Sequence, residues 1–272
     1  MAYQKSTAVC IGISDYSESS QIVSFFTRDF GILKLIHKGA LRKGRVFAAP
    51  VDLLSYYQIV FSLQKKGLHI LTEVALLENF HCLSANLQKY YAALSMLEIV
   101  QTQREELPDT TFFDAFLFSL QNLVNARYVY SLSFNFIQKS FSILGYEPSL
   151  DNCSVCGAEL SSVQSNRNNA VKTANVVKTA KDIKISLSLR EGGLLCNECA
   201  GKIKTDMYIS HAALRALRNL YLIPTERSGL VFLPDNLRKE IATFINKFLE
   251  FTFEKEFKMV KLFAEEKIKR KG

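Results

Sequence analysis

Apolar and polar positions alternate with a period of two through the first eighty residues, in five stretches: Thr7 to Ile13, Ile22 to Thr27, Ile32 to Lys38, Leu53 to Ser62 and Leu68 to Val74. Successive side chains of a strand point to opposite faces, so this period predicts strands. Pro50 and the glycines at 12, 31, 39, 44 and 67 punctuate them. Five short strands in so short a stretch predict a small closed or partly open barrel such as an OB-fold.

From residue 84 the period becomes helical. Leu87, Tyr90, Tyr91, Leu94, Leu97 and Val100 form one apolar stripe behind a Ser84 cap, and Pro108 closes the segment. A second helix is predicted from Thr110 or Thr111, with Thr111 and Asp114 as its capping box and Phe113, Phe116, Leu117, Leu120 and Val124 on its apolar face. A third runs from about Leu132 to Leu144 and stops on Gly145, ahead of Pro148. Later, Ser210 caps a helix carrying Leu214, Leu217 and Leu220. A long final helix follows Pro234 and Asp235, with Ile241, Phe244, Phe248 and Phe251 on its apolar face.

Between these helices stand two Cys-x-x-Cys pairs, Cys153/Cys156 and Cys196/Cys199, with Gly157 after the first and Gly192-Gly193 ahead of the second. Each pair can place two thiolates on one metal, and four thiolates close a tetrahedral zinc shell with no open position for a substrate. A redox pair, a disulfide and vestigial cysteines are the alternatives. The redox reading lacks the strand-to-helix setting it needs. A disulfide framework fits six cysteines in 272 residues poorly, and no secretory signal opens the chain. Cys10 and Cys82 sit in apolar patterns and read as buried, inert hydrophobes. The interval between the two pairs is long and carries a polar insert, about 160–184, that repeats Val-Lys-Thr-Ala from 171 and 177.

The expected architecture is therefore α+β and multidomain. Residues 1–80 form an OB-fold barrel and 81–150 the first part of a helical domain. Residues 151–203 form a zinc module embedded in that domain, and 204–272 return as helices that pack on it. No apolar run is long enough to span a membrane, and the cysteine usage points to a reducing cytoplasm.

A formal net charge of +8 suggests a polyanionic partner, and its distribution is more telling. The stretch 30–51 has no acidic residue and carries Lys34, Lys38, Arg42, Lys43 and Arg45, a phosphate-contacting patch in a strand-connecting region. Phe47, Tyr56 and Tyr57 are candidate stacking platforms for bases, though an aromatic in a strand more often belongs to the core. The middle of the chain is acidic by contrast, and Arg127 and Lys139 are the only Lys or Arg between 105 and 156. The terminal run Lys267-Ile268-Lys269-Arg270-Lys271 reads as a solvated tail.

Asp15-Tyr16-Ser17-Glu18-Ser19, Thr27-Arg28-Asp29-Phe30-Gly31, Lys38-Gly39-Ala40 followed by Arg42-Lys43, Leu144-Gly145-Tyr146-Glu147-Pro148 running into the first cysteine pair, and Glu191-Gly192-Gly193-Leu194-Leu195-Cys196 stand as blocks along the chain. Together they resemble the RecO family of bacterial recombination mediators. Their order and spacing cover nearly the whole chain. The resemblance implies an OB-fold, a helical domain and a zinc module. It also implies binding of single- and double-stranded DNA, annealing of complementary strands, and cooperation with RecR and single-stranded-DNA-binding protein to load recombinase. The latter partner typically presents an acidic tail with an apolar tip, so Arg127 or Lys139 is the expected anchor for it. Loss of the metal cysteines in many relatives implies that zinc serves folding rather than chemistry.

No Gly-x-x-x-x-Gly-Lys-Ser/Thr, His-Glu-x-x-His or Gly-x-Ser-x-Gly motif occurs, and the four histidines are scattered. The expectation is a protein without catalytic groups. A zinc-stabilised adaptor that docks proteins without touching DNA is the alternative.

Overall fold

A computed structural model describes residues 3–40, 51–64, 67–103, 107–160 and 184–265. Five strands, β1 (Tyr3–Ser17), β2 (Ser20–Thr27), β3 (Gly31–His37), β4 (Tyr56–Ser62) and β5 (His69–Glu78), close into a barrel in the order β1-β2-β3-β5-β4. Every pairing is antiparallel except β3 with β5. Ala8, Cys10, Val23, Phe25, Leu33, Leu35, Ile59 and Phe61 fill the interior, whereas Cys82, expected to be buried as well, is exposed in the single turn His81–Leu83. Tyr57 joins them, edge-on to Phe25 and accepting a hydrogen bond from the Asp52 N–H at 2.8 Å. It is a core residue rather than a stacking platform. Tyr56 is half-buried against Phe113 and serves packing too.

The barrel wall is apolar on its outer side as well, because helices cover it. Val9, Ile11, Phe26, Ile32 and Leu54 merge with the helical core, and the Phe26 ring meets Phe112, Phe113 and Phe116 at 5.3–6.1 Å. Burying one such ring contributes about 1.5–3 kcal/mol. At the β2–β3 turn, Gly31 has φ +67, and a Cβ there would lie 2.6 Å from the Leu107 carbonyl oxygen. Only glycine lets the turn come this close. Beside it Arg28 donates twice to Asp114, both contacts at 2.9 Å, tying barrel to helices across the surface.

The helices are α1 (Leu87–Val100), α2 (Thr110–Asn125) and α3 (Val129–Ile143). Asn86 caps α1, accepting from the Gln88 and Lys89 N–H groups, and Asp109 caps α2, accepting from Phe112. Ser84 and the pair Thr111/Asp114 were the sequence expectations. Each true cap lies two residues from the predicted one, and Asp114 is taken up by Arg28. At the end of α3, Gly145 has φ +76, and Tyr146 and Gly145 donate back to Phe141 and Ser142, the closing pattern expected of that glycine. Helix α3 is the central member, buried along most of its length.

Three short strands, β6 (Lys184–Ser188), β7 (Gly193–Leu194) and β8 (Met207–Ser210), with the single turn α4 (Asn197–Ala200), form the cysteine module. Then come α5 (His211–Leu222), capped by Ser210 as predicted, α6 (Thr225–Ser228), α7 (Asp235–Phe253) and α8 (Lys258–Glu265). These return to the first helices: Asn135 on α3 donates to the Leu220 and Ile223 carbonyls, and Phe141 packs edge-on to Phe248. The predicted single final helix is two, because Glu254 adopts a left-handed conformation with φ +52.

Candidate metal centre, basic strand and docking cleft

Two knuckles bring the four cysteines together. In the first, Gly157 at φ +74 turns the chain so that its N–H donates to the Cys153 carbonyl and the Cys153 N–H to that of Ala158. In the second, Cys196 caps α4 and its sulfur accepts from the Cys199 N–H at 3.5 Å. The knuckles are held to each other by backbone. Ser154 donates to the Leu194 carbonyl, Leu194 to Ser149, and Gly193 passes so close to Ser149 that a Cβ would lie 2.4 Å from its carbonyl oxygen. The long interval between the pairs therefore does not separate them.

All four sulfurs lie within 4.8 Å of one another, and the Cys156 and Cys196 sulfurs, one from each knuckle, are 3.7 Å apart. Four sulfurs about 2.3 Å from a tetrahedral metal stand about 3.8 Å from each other. A disulfide needs about 2.05 Å, so the geometry is that of a metal shell. Burial opposes ionisation of Cys153, yet N–H groups of Cys156, Cys196 and Val155 aimed at its sulfur bring the thiol down to about 6. Its neighbours move the other way. Contact with the Cys196 sulfur pushes Cys199 up to about 12, and the pull of the Ala158 N–H on Cys156 is outweighed by the Cys153 and Cys196 sulfurs. One thiolate forms readily and makes the next ones costly; a cation at the centre removes that cost. The donor set fits a soft or borderline dication, and four protein ligands leave no position for substrate.

Of the basic patch, Lys34 is exposed on β3 and Lys38 in the turn just after it. Arg42, Lys43 and Arg45, with Phe47, lie outside the described residues. So do the polar insert from 161 to 183 and the terminal basic run.

The two candidate anchors differ sharply. Lys139 is half-buried and donates to Thr225 Oγ1 at 2.9 Å; burial lowers its pKa. Arg127 is exposed at the lip of a cleft of about 750 Å³ between the start of α3 and the segment leading into α7. Its guanidinium lies 5.4 Å from the centre of the Tyr128 ring, and that ring meets Phe232 edge-on. Phe232 and Leu230 are 63% and 65% exposed, apolar surface that the rest of the fold does not cover. Deeper in, the buried Arg238 guanidinium stacks on Tyr130 at 4.7 Å and donates to the Phe263 carbonyl. The sequence offers Arg127 as a candidate but not Tyr128, Phe232 and Arg238, which line the same cleft. The apolar Val231-Phe232-Leu233 between two helices was the available signal.

Residues 1–80 match the family model described as Recombination protein O N terminal, and residues 84–260 the one described as Recombination protein O C terminal. Similar proteins named DNA repair protein RecO include one from Caldanaerobacter subterraneus, 25% identical over 95% of this chain and 96% of its own length. Another, from Halalkalibacterium halodurans, is 22% identical over 91% of this chain and 89% of its own, and one from Rhodopirellula baltica is 28% identical over 78% and 73%.

Proposed function

Because the chain belongs to the RecO family of DNA repair proteins, we propose that it is a non-catalytic DNA-binding protein. It anneals complementary strands and helps load recombinase on single-stranded DNA in recombinational repair. The observation that carries this is the barrel of OB topology with Lys34 exposed midway along β3 and Lys38 exposed just past its end, ahead of Arg42, Lys43 and Arg45 in the chain. Annealing has two physical requirements. Two polyanions must be brought together by charge neutralisation, and their base edges must stay free, which lysine and arginine contacts to backbone provide. Both single- and double-stranded DNA fall within that chemistry, read without sequence preference.

The four cysteines would hold one Zn2+, a d10 ion suited to a tetrahedral thiolate shell. It supplies no reaction chemistry there and locks the two knuckles into one module. Arg127, Tyr128 and Phe232 would seat the tail of a single-stranded-DNA-binding protein, the acidic stretch at Arg127 and the apolar tip in the cleft. Lys139, half-buried with one of its three donors held by Thr225, is the less accessible of the two anchors. RecR is the further partner of this reading. Among the described residues no helix is long and apolar enough to cross a membrane. We place the protein in the bacterial cytoplasm, at the nucleoid.

The test is annealing of two complementary oligonucleotides, one labelled with a donor dye and one with an acceptor. The protein is expected to accelerate pairing at low salt, and to lose that effect as salt rises. The Arg127 cleft also favours the adaptor reading, in which the protein only docks partners. No acceleration and no DNA binding, with tail-peptide binding intact, would select it.

A further inference from the structure

A second cleft opens where the barrel meets the helices. Its volume is about 230 Å³, and its polar lining is Gly12, Ser24, Lys34, Gln101 and Gln103, with Ile11 and Ile32 beneath. Three of these form one row across the barrel wall, since Gly12 pairs with Ser24 and Ser24 with Lys34. The facing wall comes from just past the C-terminal end of α1, where Gln101 Nε2 donates to the Ile11 carbonyl at 3.3 Å and holds that wall against β1. The Lys34 ammonium, the Gln103 carboxamide and the Ser24 hydroxyl line the cleft, donors that suit an anion, while Gln101 Nε2 is taken up by Ile11.

Gly12 gives the cleft its depth. Its φ lies outside the left-handed region, and a Cβ there would sit 3.5 Å from Ser24 Cβ and 3.7 Å from Ser24 Oγ, ordinary contact distances. The backbone does not demand glycine here. The glycine stands beside the irregularity in the β1–β2 register between Cys10 and Gly12, and without a side chain it leaves the strand open to close approach by a ligand.

We propose that this seam is a phosphodiester subsite: one backbone phosphate of a DNA single strand seats over Gly12 between Lys34 and Gln103, and the strand passes from the barrel wall onto the end of α1. The subsite rests on the DNA-binding reading above and adds Gly12, Ser24, Gln101 and Gln103 to it. Gripping backbone rather than base leaves the base edge free to pair, as annealing requires.

The test is anisotropy of a fluorescein-labelled oligothymidylate titrated with the full chain over a series of salt concentrations. Gly12→Val fills the cleft without changing charge, with a side chain that suits a strand. Its affinity should fall about fivefold, the equivalent of one net hydrogen bond. Its salt slope should become shallower by about 0.7, one phosphate contact on a single strand. Gln103→Ala should weaken binding similarly, and it decides the matter if Gly12→Val does not fold. A folded variant with the affinity and slope of the parent protein would overturn the subsite alone. Absence of binding by the parent protein itself would overturn the DNA reading, and the subsite with it.

Discussion

Cys153 is the one cysteine of the cluster buried by the fold; its three partners are half-buried or exposed. Because metal binding at a closed thiolate site is folding free energy, Cys153→Ser should lose about one zinc per chain and lower the unfolding midpoint. Elemental analysis beside a thermal melt reads both. No zinc in the purified parent protein, with its cysteines reduced, would contradict the site. Gly31 makes a second demand that a single residue settles. Alanine there must hold a left-handed backbone and meet the Leu107 backbone at 2.6 Å, so Gly31→Ala should cost about 2 kcal/mol or more in urea unfolding. The sequence announced both positions through glycine and cysteine spacing. It did not announce Leu107 as the neighbour, because a contact between a barrel turn and the lead-in to α2 has no local signature.

Among the elements, α8 is held at its two ends by charges of opposite sign. Glu98 on α1 accepts from the Met259 N–H at 3.0 Å, at the helix N-terminus, and the Arg238 guanidinium donates to the Phe263 carbonyl near its C-terminus. Both charges complement the helix dipole. Burial nevertheless pushes the Glu98 carboxyl above its ordinary value of 4.5, against the N–H groups of Met259, Val260 and Lys258 and nearby Lys255. A carboxyl raised in the fold favours the protonated state. Its stabilising contribution is complete below the unfolded value and is lost as pH rises through the raised one. Stability measured by urea unfolding should therefore decline over that interval above pH 4.5, and Glu98→Gln should flatten the decline. An unchanged pH profile in the variant would remove Glu98 from the account. Strands and helices were legible wherever one face repeats, as in β2 or α2. The break between α7 and α8 was not, because Phe253 and Phe257 keep a helical spacing across Glu254-Lys255-Glu256 while the left-handed turn at Glu254 lacks the usual glycine.

At the scale of the whole molecule, barrel and helices share one apolar core through Phe26, so the basic strand and the Arg127 cleft keep a fixed relation. Docking at that cleft is the more selective claim. Arg127→Ala should weaken binding of an acidic, apolar-tipped tail peptide by about 2 kcal/mol, read by calorimetry, and Lys139→Ala should leave it unchanged. Equal affinity for all three proteins would move the docking site elsewhere. The cysteine shell and Arg127 could be named from sequence because each depends on a rare residue in its stretch. The aromatic wall around Arg127 and the seam at Gly12 come from segments far apart in the chain, which only the closed fold brings together. The account's central claim is tested most directly by titrating single-stranded DNA with the parent protein and with Lys34, Lys38, Arg42, Lys43 and Arg45 all changed to glutamine, each over a range of salt. The prediction is that log affinity of the parent protein falls linearly with log salt, and that the slope shrinks by about 0.7 for every phosphate contact the variant has lost. Affinity and slope identical in the two proteins, or no salt-sensitive binding at all, would contradict it.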